Sequence, residues 1–141
     1  MARYLGIDFG EKRIGLAVSD PTLTIAQPYK TLIFVSLKNL ILDIKKLIQD
    51  LEIEKVILGL PLTMKGTDSQ KTQVVRDFGS KLMENLDIPV IFFDERLSSV
   101  QAHSVLRQLG KKPSKNRPQV DQLAAQHILQ AYLDREKKAA Q

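Results

Sequence analysis

The chain has 141 residues, no cysteine and a formal net charge of +5, with 43% hydrophobic and 26% charged residues. That length fits one domain with one sizeable core; the composition excludes a disordered chain, and the missing cysteines exclude disulfides, thiolate zinc sites and cysteine nucleophiles. No apolar run reaches the ~18 residues of a membrane helix, and Met1-Ala2-Arg3-Tyr4 leads directly into strand-like sequence without a signal-peptide pattern, so a cytoplasmic protein is expected.

Residues 3–9 read as a short buried strand. Gly10-Glu11-Lys12 forms a turn, and residues 13–19 return as the second arm of a hairpin that Asp20-Pro21 ends. A third, weaker strand is expected within residues 29–35. Ser36 then serves as an N-cap for a helix whose apolar residues, Leu37, Leu40, Ile41, Ile44, Leu47, Ile48 and Leu51, keep helical spacing throughout. Residues 55–60 form a buried strand, residues 61–68 a loop containing Gly66, and residues 69–86 a second helix striped by Val75, Phe78, Leu82 and Leu86. Residues 90–93 form the next strand. Ser98 and Gln101 match a capping box for a helix over residues 98–109 that Gly110 stops. A basic loop over residues 110–118 precedes a final helix over residues 119–135, and residues 136–141 are expected to fray.

The hairpin requires antiparallel pairing, and strands linked through helices require parallel pairing. The pattern therefore predicts an α/β fold with a mixed sheet covered by helices. The domain spans residues 1–138, and residues 139–141 form the tail.

Charge is unevenly placed. Residues 96–120 hold Arg96, Arg107, Lys111, Lys112, Lys115 and Arg117 and no acidic residue, so the remainder of the chain sums to −1. A basic segment on a near-neutral body suits a polyanionic partner, most often nucleic acid. None of the eight aromatic residues lies in that segment. Recognition through phosphate and shape is therefore expected, rather than base stacking, with affinity falling steeply as salt rises.

Three carboxylate positions stand out. Asp8 lies inside the first strand, on one face with Gly6 and Gly10, while Ile7 and Phe9 take the other face. A buried carboxylate needs a partner, hydrogen bonds or a metal. Asp94 and Glu95 end a later strand and point to opposite faces, so one of them can share a site with Asp8. Asp121 sits in the first turn of the last helix, ahead of Ala124 and Ala125, which permit close approach. Such a trio supplies the hard oxygen ligands that Mg2+ or Mn2+ takes, and two such ions provide a route to phosphodiester hydrolysis. Lys12 and Arg13 flank the first turn and are candidates to orient a phosphate. His103 and His127 have no accompanying ligand pattern.

Gly6-Ile7-Asp8-Phe9-Gly10 with Arg13-Ile14-Gly15-Leu16-Ala17-Val18, then Leu58-Gly59-Leu60-Pro61-Leu62 with Gly66-Thr67, then Asp94-Glu95-Arg96-Leu97-Ser98-Ser99, and finally Val120-Asp121-Gln122-Leu123-Ala124-Ala125 form an ordered set covering nearly the whole chain. This set resembles the YqgF (RuvX) family of bacterial proteins, described as pre-16S rRNA nucleases and as Holliday-junction resolvase-like proteins. Lys65 and Ser69, around Gly66, depart from the family pattern. The resemblance implies a ribonuclease H-like fold with a mixed five-stranded sheet. It implies catalytic and metal-ligating roles for Asp8, Glu95 and Asp121, preferring Glu95 over Asp94. It also implies 5′-end trimming of the 16S rRNA precursor during ribosome biogenesis.

The expected activity is thus that of a metal-dependent endonuclease. Its nucleic-acid contacts would come from Lys12, Arg13, Arg96, Arg107, Lys111, Lys112, Lys115 and Arg117, and it would work as a monomer or homodimer, in contact with ribosome-assembly particles. Branched-DNA resolution and non-catalytic RNA binding are the alternatives. An actin-like ATPase, which opens with a similar hairpin, needs a second domain half for which this chain has no room.

Overall fold

The computed structural model describes residues 2–97 and 117–140, with Arg117 described by its backbone alone. Five strands form one sheet in the order β3-β2-β1-β4-β5. β1 (Arg3–Phe9) and β2 (Arg13–Ser19) make the antiparallel hairpin, closed by a hydrogen bond from Gly10 N–H to the Arg13 carbonyl at 3.0 Å. β3 (Ala26–Ile33) adds antiparallel to β2. β4 (Ile53–Leu60) pairs parallel to β1, and β5 (Val90–Asp94) pairs parallel to β4. The mixed sheet inferred from the sequence is the one observed.

Helices α1 (Leu37–Leu51) and α2 (Gln70–Asn85) are the crossovers that parallel pairing requires. Ser36 caps α1, its Oγ accepting from Asn39 N–H at 3.1 Å. Glu52 ends α1 in the left-handed conformation, at φ 54°, and turns the chain directly into β4. That tight exit explains why β4 begins at Ile53 rather than at the expected residue 55. Ser69 caps α2 in a reciprocal box with Thr72. Helix α3 (Arg117–Ala139) is the third long helix among the described residues.

The sheet separates two apolar layers. On one face Leu5, Ile7, Ile14, Leu16, Val56 and Leu58 pack with Leu40 and Ile44 of α1 and with Val75, Phe78 and Leu82 of α2. On the other face Ala17, Ile57 and Phe93 pack with Ala125, Ile128, Leu129 and Leu133 of α3. The strands nearest the middle are buried on both sides, which is why they read as continuous apolar runs.

Three expectations need correction. The third strand occupies Ala26–Ile33 rather than residues 29–35, because α3 fixes its start: Gln130 Oε1 accepts from Ala26 N–H at 2.8 Å, and Gln126 Nε2 donates to the Ala26 carbonyl at 3.0 Å. These partners lie a hundred residues away and leave no local pattern. The strand is an edge, with Gln27, Pro28, Tyr29 and Lys30 exposed, so it also lacks a hydrophobic alternation. The last helix runs from Arg117 to Ala139, longer than residues 119–135. Its final turns do not fray at residue 136, because Lys55 Nζ donates to Glu136 Oε1 at 3.1 Å and to the Tyr132 hydroxyl at 2.9 Å, and stands over the Tyr4 ring at 4.8 Å. The expected helix over residues 98–109 and most of the basic loop lie outside the described residues.

Helix α3 approaches the sheet at Gly6, where a Cβ would stand 2.8 Å from Leu129 Cβ and 3.0 Å from the Ala125 carbonyl. Gly6→Val should therefore push α3 off the sheet and destabilise the fold by about 1–3 kcal/mol or more, as overpacking does. The expected outcome is a lower midpoint in thermal unfolding followed by circular dichroism; an unchanged midpoint would contradict this seating of α3.

Candidate active site

Asp8 is the penultimate residue of β1 and projects to the α3 face, as Gly6 does. Its partner on β2 is Gly15. On the other side, Ile7 pairs with Leu58 of β4, and the next step along places Gly59 beside Asp8. The central carboxylate thus stands between two residues without side chains. Each vacancy seats another acidic residue. Because α3 begins at Arg117, Asp121 lies one turn into the helix rather than in its first turn, and α3 lies on Gly15 there so closely that a Cβ at Gly15 would collide with the Asp121 carbonyl and stand 3.0 Å from Asp121 Cβ. Glu95 follows β5 in a 3-10 turn and lies over Gly59, where a Cβ would meet its Oε1 at 3.0 Å. Asp8, Asp121 and Glu95 therefore share one row across the sheet, near the carboxyl ends of β1 and β4.

Strand alternation divides Asp94 from Glu95 as anticipated, and the structure assigns each a place. Phe93 packs towards α3, and Phe92 packs towards α2. Asp94 pairs with Arg96: Arg96 Nη2 donates to Asp94 Oδ2 at 2.6 Å and Arg96 N–H donates to Oδ1 at 2.9 Å. These bonds hold the Asp94 carboxyl below its ordinary range. Arg96 also reaches the Met64 carbonyl at 3.4 Å and lies against Gly66, whose φ of +81° makes the turn of the β4–α2 loop. Its guanidinium thus clamps this loop to the end of β5.

Arg13 has a comparable position. Its Nε donates to Asp121 Oδ2 at 2.8 Å, with both side chains largely covered. Lys12 is exposed on the hairpin turn. Arg107, Lys111, Lys112 and Lys115 lie outside the described residues, as does His103, and Arg117 begins α3. His127 is half-buried on α3.

Asp8 differs from its neighbours. Among the described residues no hydrogen-bond donor reaches its carboxyl. Burial pushes it up to about 6, the Lys71 ammonium opposes that rise, and the Asp121 charge adds to it. Lys71 was not singled out by the sequence pattern. The available signal was its place just after the Ser69 cap, at the start of α2.

A divalent ion suits this donor set in part. The oxygens are hard, and the desolvated Asp8 lacks a cation of its own. Among the described residues, however, no three acidic or histidine side chains are gathered into an ion cage. Magnesium commonly takes only one or two carboxylates and completes its shell with water and substrate phosphate, which matches an open row better than a closed cage.

This architecture is that of the ribonuclease H-like resolvases. RuvC of T. thermophilus, solved in complex with a Holliday junction substrate, superposes with a TM-score of 0.61 at 11% identity, over 97% of this chain and 96% of that one. The fowlpox virus resolvase, in complex with Holliday junction DNA, gives 0.52 at 14% identity, over 95% and 98%. The chain itself belongs to the RuvX family, whose model, described as Holliday junction resolvase, matches residues 2–135. Relatives in Chloroflexus aurantiacus (45% identical, covering 92% of this chain and 85% of the relative) and Syntrophomonas wolfei (45%, covering 94% of each) carry the name "Putative pre-16S rRNA nuclease". A relative in Caldanaerobacter subterraneus with the same name is 41% identical over 97% of this chain and 99% of its own length.

The raised Asp8 gives a stability signature. A carboxyl whose folded value, about 6, lies above its unfolded value destabilises the fold once ionised; the penalty is full above that value, lifts progressively as pH falls below it, and vanishes only below the unfolded value. In EDTA, lowering pH from 7.5 to 5 should recover on the order of 1–3 kcal/mol from this group. Asp8→Asn should raise the metal-free melting temperature at pH 7.5 and flatten that dependence. Thermal melts of both proteins across pH check this, and a variant less stable than the parent at pH 7.5 would refute it.

Proposed function

We propose that this protein is a metal-dependent endonuclease that hydrolyses phosphodiester bonds in structured nucleic acid, acting in the cytoplasm on the 5′ end of the 16S rRNA precursor. The observation that carries the reading is the glycine-flanked row that brings Asp8, Glu95 and Asp121 together from three separate elements. The names of the RuvX relatives support the choice of substrate. The family model's description and the RuvC-like fold favour branched DNA as the second reading.

In this mechanism Asp8, Glu95 and Asp121 would hold the metal. The chemistry that magnesium or manganese would supply there is water activation and stabilisation of the leaving oxygen, as in two-metal hydrolysis. Arg13 fixes the orientation of the Asp121 carboxylate through the 2.8 Å bond. The seating of α3 on Gly15 fixes the backbone of Asp121, so this ligand is held on a rigid element before substrate arrives. Arg96 positions the β4–α2 loop at the same edge. Lys12, with Arg107, Lys111, Lys112, Lys115 and Arg117 from the basic segment, would meet the phosphate backbone.

The test uses purified protein with a precursor 16S RNA fragment and, separately, a four-way DNA junction, each with Mg2+, Mn2+ or EDTA. Cutting should require the metal, and Asp8→Asn, Glu95→Gln and Asp121→Asn should each lower it by about 10²-fold or more, as loss of a group that stabilises charge in the transition state does. The substrate that is cut names its class. Salt-sensitive binding with no cutting of either substrate would replace the nuclease reading with an RNA-binding assembly factor.

A further inference from the structure

Lys71 opens α2, and positions 71, 75, 78 and 82 make one stripe along that helix. Val75, Phe78 and Leu82 are buried against the sheet. Lys71 continues the stripe one turn further, where the sheet has ended, and is exposed. The depth of α2 at this point is fixed by three contacts. Phe78 stacks on Phe9 at 4.2 Å between centroids. Gly79 lies against Phe92 and Leu58. Thr72, fully buried, donates its hydroxyl to the Pro61 carbonyl. Phe9 directly follows Asp8, so the stacked rings place the carboxyl end of β1 about two turns of α2 from Lys71. The Lys71 ammonium acts electrostatically on the Asp8 carboxyl across that gap.

Three arginines around this end of the sheet are already engaged. Arg13 is bound to Asp121, Arg96 to Asp94, and Arg76 to Asp68 at 2.7 Å. Lys71 has no hydrogen-bond or ion-pair partner among the described residues. A lysine also carries its charge on a flexible four-carbon stem, which can meet a phosphate without backbone movement.

The geometry points to Lys71 as a phosphate-binding residue of the reaction centre, its ammonium meeting a non-bridging oxygen of the substrate backbone on the α2 side of Asp8. This inference rests on the nuclease reading and specifies how that site holds its substrate. Arg13 and Asp121 close the row from the β2 side, whereas Lys71 approaches from the opposite layer of the molecule. A backbone phosphate at Asp8 would therefore be contacted from α2.

The test compares Lys71→Met and Lys71→Arg with the parent, and with Lys45→Met on exposed α1 as a control. Binding of a labelled precursor 16S RNA fragment is measured in EDTA across a salt series, with thermal melts confirming that each variant is folded. Lys71→Met should lower the slope of log affinity against log salt by about 0.7–0.9, the value of one phosphate contact. Lys71→Arg should restore the slope, and Lys45→Met should leave it unchanged. With Mg2+ present, single-turnover cutting by Lys71→Met should fall about tenfold or more. An unchanged slope in Lys71→Met overturns the inference even if the parent cuts RNA. A parent that binds but does not cut overturns the nuclease reading, and the slope still decides the role of Lys71.

Discussion

The absence of side chains at Gly6, Gly15 and Gly59 is the constraint on which the rest of the structure depends. A helix resting on a sheet is normally held off by two layers of side chains, about 10 Å apart in all. Here α3 touches the β2 backbone at Asp121, and its next turns lie on β1. That intimacy carries Asp121 down to the level of Asp8, and the gap above Gly59 admits Glu95. With ordinary residues at these three positions the apolar layer could still form, but the carboxylates would stand apart. The glycines therefore matter less for backbone freedom than for the volume they leave empty.

The same proximity creates an electrostatic imbalance. Asp8 is half-buried and has neither a hydrogen bond nor an adjacent guanidinium among the described residues, whereas Asp121 and Asp94 each hold an arginine. Local hydrogen bonding stabilises Asp121 and Asp94 and leaves Asp8 in need of positive charge. Proteins retain such costly arrangements at sites that bind or react, because a fully satisfied carboxylate gains little from a ligand. Stability is surrendered at one residue, and the two apolar layers on either side of the sheet are large enough to bear it.

Much of this was legible in the sequence, and for identifiable reasons. β1, β2 and α1 were read to the residue because their signals are local: the Gly10-Glu11-Lys12 turn, the Ser36 cap, and an apolar spacing that a single burial face imposes. Asp8 was conspicuous because a carboxylate inside an apolar strand is a local contradiction. Neighbouring residues were less legible where tertiary partners decide. The edge strand takes its start from glutamines of α3, and the end of α3 is held by Lys55 and Tyr132, so neither boundary has a nearby sequence cue. Charge alone likewise could not separate cations that meet substrate from cations that brace the frame. Arg96 and Arg13 read as phosphate contacts, yet their guanidinium groups hold Asp94 and Asp121. Lys71 resembled any exposed helix lysine until the packing of Phe78 on Phe9 placed its helix over the end of β1.

The edge strand has a consequence for how the protein behaves in company. A margin strand of a sheet offers backbone donors and acceptors to any other strand, including one from a second copy. On β3 the outer margin is interrupted by Pro28, which has no N–H to offer, and is flanked by the charge of Lys30. A register shift between Leu16 and Ala17 further breaks the regular ladder beneath it. The hairpin side of the sheet is therefore a poor template for intermolecular strand pairing.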